Sequence, residues 1–214
     1  MRGKFWNLGV AAVADILFAS NPRANAVQSL SVTYVEAQSS SPVATALKSD
    51  VRTCLASHVC DEAAALKESD RDRFVLYESY DASARPQQLA LPAEVLLAPP
   101  DTRQLLEIWT SAAMRMPPHA RWVVTHVDAM PDYAAEVAAM LKQLGEANAR
   151  EAGHLRTIVG AQWDHPNHFT LIEVWASRSA FEMHEAAKAT RDFRTKLAPM
   201  LGALYDSRFY EAVE

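Results

Sequence analysis

The side chains whose types and spacing suit chemistry gather in the second half of the chain. His184 shares one face of a helical pattern with Ala180, Phe181 and Ala187, which sets an imidazole against apolar neighbours. Its ordinary titration range suits a general base, although a histidine on an apolar face is also commonly a satisfied core residue. His126 stands at the centre of a β-branched run, where it can line a pocket or simply be structural. Trp175 and Trp163 are flat rings able to wall a pocket for an aromatic ligand, or to serve as core packing, and Phe181 is a third aromatic beside His184. Asn148 lies four residues past Leu144 on an apolar helix face, placed either to orient a ligand hydroxyl or to cap the helix end.

Two other sets of polar residues read more simply. Glu173 sits inside a strand-like run, where a buried carboxylate is costly unless paired; Arg156, on the preceding strand, is its expected partner in a structural ion pair. Asp164, His165 and His168 resemble metal ligands on paper, but they flank Pro166-Asn167, and a polar hairpin turn explains them better. No metal site is expected.

The elements that position these residues come twice. Val32-Thr33-Tyr34-Val35-Glu36-Ala37 is matched by Val124-Thr125-His126-Val127-Asp128-Ala129. Arg73 to Tyr80 is matched by His168 to Trp175, which aligns Glu78 with Glu173. Asp101-Thr102-Arg103 is matched by Asp206-Ser207-Arg208. Order is kept while spacing grows, the signature of a duplicated unit with a shorter first copy.

The second copy is the clearer template. Arg121–Asp128 alternates as a strand, and Pro131-Asp132 opens a helix carrying Tyr133, Val137, Met140, Leu141 and Leu144, which Gly153 stops. Strands follow over His154–Trp163 and His168–Trp175; Ser179 and Glu182 read as a capping box for a second helix, and Ser207–Val213 as a last strand. The order β-α-β-β-α-β is a ferredoxin-like unit. In the first copy a helix after Pro42 is expected, and the strand near Asp61–Glu68 is poorly patterned. The stretch Arg85–Pro100, with four prolines, cannot hold a full second helix. The fold class is thus α+β: two tandem units over 27–116 and 119–214, dividing near Pro117-Pro118, each leaving one apolar sheet face for the other to cover.

Composition excludes several classes. Half of the 214 residues are hydrophobic and the formal net charge is −5, which suits a globular protein and lacks the basic footprint of a nucleic-acid binder. Residues 1–26 carry Arg2 and Lys4, an apolar stretch interrupted by Asp15, and a small-residue end at Ala24-Asn25-Ala26, the pattern of a cleaved export signal. A periplasmic or secreted location is expected, a cytoplasmic one being the alternative; the apolar stretch is short for a membrane span. Cys54 and Cys60, six apart in a helix-like stretch, are expected to be ordinary buried thiols, because a bridge across one regular helix at that spacing is awkward.

The second copy resembles the antibiotic biosynthesis monooxygenase domain, a dimeric α+β barrel family that includes quinol monooxygenases. The resemblance rests on Phe169-x-Leu171-x-Glu173-x-Trp175, Ala180-Phe181-x-x-His184, Phe193, Leu197 and Tyr205-Asp206-x-Arg208. It implies two units pairing their sheets into a barrel, here within one chain, with further self-association left open. It also implies a cofactor-independent reaction of a small phenol or quinol with dioxygen, with His184 as base and His126, Trp175, Trp163, Asn148 and Phe181 around the substrate. A binding or stress-associated barrel that has kept only the fold is the alternative. The haem-degrading branch of that superfamily uses an axial histidine where Arg191 and Arg194 stand, so the resemblance disfavours haem.

Overall fold

A computed structural model describes residues 28–81, 89–112, 114, 116, 117 and 119–213. The expected export signal at 1–26 lies outside the described residues, as do Pro86 and Pro118. Twelve strands and helices follow one another: β1 (Gln28–Glu36), α1 (Ser40–Ala56), β2 (Glu62–Glu68), β3 (Arg73–Asp81), β4 (Asp101–Thr110), β5 (Arg121–Asp128), α2 (Ala134–Asn148), β6 (His154–Gln162), β7 (His168–Trp175), α3 (Arg178–Ala186), α4 (Lys188–Leu197) and β8 (Asp206–Ala212). Where the first unit would carry its second helix, the described residues hold only a 3-10 turn at Ala93–Val95. Its prolines supply the reason, since each removes a donor and fixes φ.

The eight strands close into one barrel in the order β1-β3-β2-β8-β5-β7-β6-β4, every neighbour antiparallel. Each unit forms a four-stranded sheet, and the two sheets join through β4 to β6 and β8 to β2. Closure gives each of the described strands two hydrogen-bonded neighbours, which removes the open sheet edge that is the usual template for aggregation.

Alternation along the strands sorts side chains to two faces. Leu30, Val32, Leu66, Val75, Tyr77, Trp122, Val124, Ile158, Ile172, Val174 and Tyr210 fill the barrel. Phe169 and Leu171 face outward against Val137, Leu141, Leu144, Phe193 and Leu197 of α2 and α4. Val35, Phe74 and Leu76 meet Val43 and Leu47 of α1 in the same way. A bulge in β4 between Glu107 and Trp109 turns Trp109 out to the helix side, where its ring lies against Gly145 of α2. A residue of the first unit thereby packs the helix of the second.

Several expectations change. Cys54 and Cys60 form a disulfide with Cα atoms 5.5 Å apart. The two cysteines do not share one helix: α1 ends at Ala56, and His58, at φ 55°, turns the chain back before Cys60. The cap of α3 is Ser177, whose hydroxyl accepts from the Ala180 amide at 3.1 Å, and Glu182 instead pairs with Arg178. The expected second helix is two helices, broken at Ala187, which is extended at φ −64°, ψ 144°. Arg156 does not meet Glu173. It points into the barrel and its Nη2 lies 2.6 Å from Glu62 Oε1 of the first unit, because alternate positions of β6 face opposite sides and Arg156 shares parity with Ile158.

Candidate active site

Between the sheet and the helices of the second unit, β7 presents Glu173 and Trp175 outward in line with Phe169 and Leu171. The last turn of α2 sets Asn148 over Glu173, and its Nδ2 donates to Glu173 Oε1 at 2.6 Å. Neither the cap nor a solvent contact accounts for Asn148, which is fully buried.

His184 comes down from α3 into this group and is 2% exposed. Its ring stacks on Trp175 at 4.6 Å between centroids, with Phe181 5.9 Å away. The Nδ1 atom lies 3.1 Å from Glu151 Oε2 and 3.3 Å from Thr190 Oγ1, which the break at Ala187 brings back towards α3. With Nδ1–H donated to the Glu151 carboxylate, the lone pair sits on Nε2, 3.5 Å from Glu173 Oε1. The second unit thus holds an imidazole, a carboxylate at its Nδ1 and a buried carboxyl at its Nε2 in one chain of contacts.

Burial sets the protonation states. It pushes Glu173 up to about 8, helped by the negative charge of Glu185 and opposed by Arg194. It pushes His184 down to about 4, with Glu185 pulling the other way and Arg194 adding to the fall. Between these values Glu173 carries the proton and His184 is neutral, so no net charge is buried at the centre of the site. Arg194 is itself held by Glu185 and lies over the Tyr205 ring at 5.2 Å.

Beside His184 and Glu173, Asn148 Oδ1, an acceptor, and Trp175 Nε1, a donor, have no partner, and neither does Nε of Arg194. Buried polar groups are nearly always paired, so an orphan acceptor and an orphan donor beside one histidine are features that a hydroxylated ligand would satisfy.

Of the residues singled out in the sequence, His184, Trp175, Phe181 and Asn148 are together. His126 is not among them: it shares parity with Trp122 and Val124, so it points into the barrel and the sheet itself separates it from His184. There it meets Tyr34 edge to face at 5.2 Å and has Arg103 Nη1 3.5 Å from its Nδ1; burial and that guanidinium hold it down at about 4. Trp163 is 72% exposed beyond the end of β6 and walls nothing. Asp164 and His165 pair with each other on an exposed turn, and no group of three metal-ligating side chains occurs among the described residues. Sequence reasoning missed Glu151, Thr190, His154 and Arg194. His154, whose ring meets the Trp175 edge at 5.4 Å, was detectable as the first residue of a strand; Glu151 lies in a polar turn with no pattern to mark it.

Comparison with known proteins bears on the family and the fold. Residues 121–196 match the family model of antibiotic biosynthesis monooxygenase. No protein of curated function matches the chain in sequence. Among solved structures, a candidate monooxygenase from Fusobacterium nucleatum superposes with a TM-score of 0.75 at 18% identity, covering 88% of this chain and 94% of that one. An anthrone oxidase-like protein gives 0.65 at 11% identity, covering 87% and 92%. A major regulator of staphylococcal pathogenesis gives 0.62 at 13%, covering 87% and 99%. Proteins named for such different roles share the whole tandem barrel, so these likenesses speak for the fold, and the chemistry must be argued from the site. The match over 121–196 spans β5 to α4 and takes in Asn148, Glu173, Trp175 and His184, so the second unit is similar to the antibiotic biosynthesis monooxygenase family.

Proposed function

We propose that the chain oxidises a small phenol or hydroquinone with dioxygen, without flavin, haem or metal, and that the His184–Glu173 pair takes the substrate's proton. The observation that carries this reading is the buried pair flanked by the orphan Asn148 Oδ1 and Trp175 Nε1. A phenolic ring lying along Trp175 and Phe181 would accept from Trp175 Nε1 and donate towards Nε2 or Asn148 Oδ1.

Glu173 is better matched than His184 to a proton of phenolic acidity, because efficient bases titrate near the operating pH. Above about 8 the pair is a carboxylate beside a neutral imidazole and accepts one proton as a unit. The anion so formed is held away from water, which favours electron transfer to dioxygen. For a phenol with a free ring C–H, one oxygen atom becomes a new quinone carbonyl and the other leaves as water with the hydrogens of that C–H and the O–H; for a hydroquinone, one oxygen enters a ring C–H bond as a hydroxyl and the other leaves as water with the two O–H hydrogens. No external reductant enters the balance.

The test is an oxygen electrode with purified, chelator-treated protein and a panel of hydroquinones and naphthols. Consumption above autoxidation, lost in His184→Ala and Glu173→Gln, is expected. Equal rates in the parent and both variants would leave a binding barrel as the better reading. Export is part of the same proposal. The Cys54–Cys60 disulfide is at home in an oxidising compartment, and a mature amino terminus at Val27 is the expected result of sequencing.

A further inference from the structure

The first unit carries a polar row in the place where the second unit carries its candidate site. Across β4, β1 and β3, Gln104, Ser31 and Glu78 are direct neighbours in register, all on the outward face beneath α1. The equivalent row of the second unit is Phe209, Val123 and Glu173. There Phe181 of α3 covers the row by packing on Phe209 at 5.2 Å, whereas the first unit has no such helix among the described residues and Gln104 is exposed.

Three observations mark the row as unfinished. Glu78 is 3% exposed and has no hydrogen bond or ion pair among the described residues. Asp50, on the side of α1 that carries Val43 and Leu47, is near enough for its charge to act on Glu78. Ser31 is 0% exposed, stands between Gln104 and Glu78, and its hydroxyl has no partner. Burial and Asp50 together push Glu78 up to about 7, and burial raises Asp50 as well. A carboxyl without a hydrogen bond or ion pair among the described residues, a second carboxyl near it and an orphan hydroxyl make a polar group that a donor-rich ligand would satisfy. Tyr80, in the position of Trp175, completes the group and donates its hydroxyl to Gln104.

We propose that the first unit binds a small organic ammonium compound, its N–H donors shared among Glu78, Asp50 and Ser31 and its apolar body against Tyr80. One ammonium brings three donors and a positive charge to three oxygen-bearing side chains. The two carboxyls alone would be too few ligands for a metal cage, and no three-ligand group is present among the described residues. This site is separate from the His184–Glu173 pair, on the other half of the barrel.

The probe is benzylammonium, titrated into full-length protein and followed by amide chemical shifts and by calorimetry, with benzyl alcohol as the uncharged analogue and magnesium chloride at matched ionic strength. Benzylammonium is expected to shift amides of β1, β3 and α1, and benzyl alcohol and magnesium are not. Glu78→Gln, which keeps shape and removes charge, should weaken binding about tenfold or more, and His184→Ala should leave it unchanged. Asp50→Asn provides a second, more peripheral variant in case Glu78→Gln unfolds, and it should weaken binding as well. The proposal is overturned by an absence of binding, by equal binding of benzyl alcohol, by the same shifts with magnesium, or by full affinity in whichever of the two variants folds. Loss of binding in His184→Ala would move the ligand to the other site and overturn it too.

Discussion

Arg156 of the second unit and Glu62 of the first meet inside the barrel at 2.6 Å, and Tyr77 adds its hydroxyl to the same carboxylate at 3.2 Å. The pair ties β6 of one unit to β2 of the other, with the two side chains only 8% and 11% exposed. Removing one partner leaves the other buried and uncompensated, which generally costs about 3–5 kcal/mol. Glu62→Gln should therefore lower the unfolding free energy by about that amount in urea titration, and the double replacement Glu62→Leu with Arg156→Met should recover most of it. A loss below about 1 kcal/mol for the single variant would mean that water or Glu107 already compensates Arg156.

Glu173 and His184 give opposite signatures with pH. Glu173 is raised from 4.5 to about 8, so the folded protein holds a proton that the unfolded chain releases, and stability falls as pH rises between those values. His184 is lowered from 6.5 to about 4, so stability falls as pH drops through that window. The stability of Glu173→Gln relative to the parent should climb from pH 4.5 to 8 and then level. His184→Gln should gain on the parent as pH falls from 6.5 to 4. Parallel denaturation curves across both windows would remove the protonation states assigned to the pair.

If the pair is the base, the rate should rise with pH to a plateau above about 8, following ionisation of Glu173. Glu151→Gln leaves the reacting groups in place but releases the tautomer of His184. It is expected to lower kcat by about an order of magnitude with little change in KM, as loss of an orienting partner does for other histidines. A change in KM alone would make Glu151 a binding residue instead.

Gly145 is a packing requirement. A Cβ there would stand 2.6 Å from two atoms of the Trp109 ring. Helix propensity favours alanine by about 1 kcal/mol, and overpacking costs about 1–3 kcal/mol, so a net loss is expected for Gly145→Ala. Gly202, whose added Cβ would be no nearer than 3.6 Å to any atom, serves as the control. Altered Trp109 fluorescence should accompany the loss.

The repeat and the strand pattern were legible because they are local: alternation in Arg121–Asp128 and His168–Trp175 marks both strands and their faces. Partners were harder to read. Glu173 was assigned Arg156 because the two strands adjoin, yet parity sends them to opposite sides of the sheet, and the same rule separates His126 from His184. Trp163 looked like part of a strand, but it falls past the last paired residue of β6 and into water. The disulfide was missed because a helix continued through Cys60 would hold the two cysteines awkwardly for a bridge, whereas α1 ends at Ala56 and His58 turns the chain back. Glu62 and Glu151 depend on contacts between distant segments, for which spacing in one segment carries no information.

The edge-to-edge joining of the two sheets has one more consequence. In a barrel made from two identical chains every substitution occurs twice, so a pocket cannot be altered on one side alone. Here the two halves are encoded separately, yet each still supplies a wall that the other needs. Val123 and Ser31 can therefore diverge at equivalent places, one dry and one polar, while the barrel that holds them stays shut. Covalent fusion gives the protein two independently adjustable surfaces on one rigid frame.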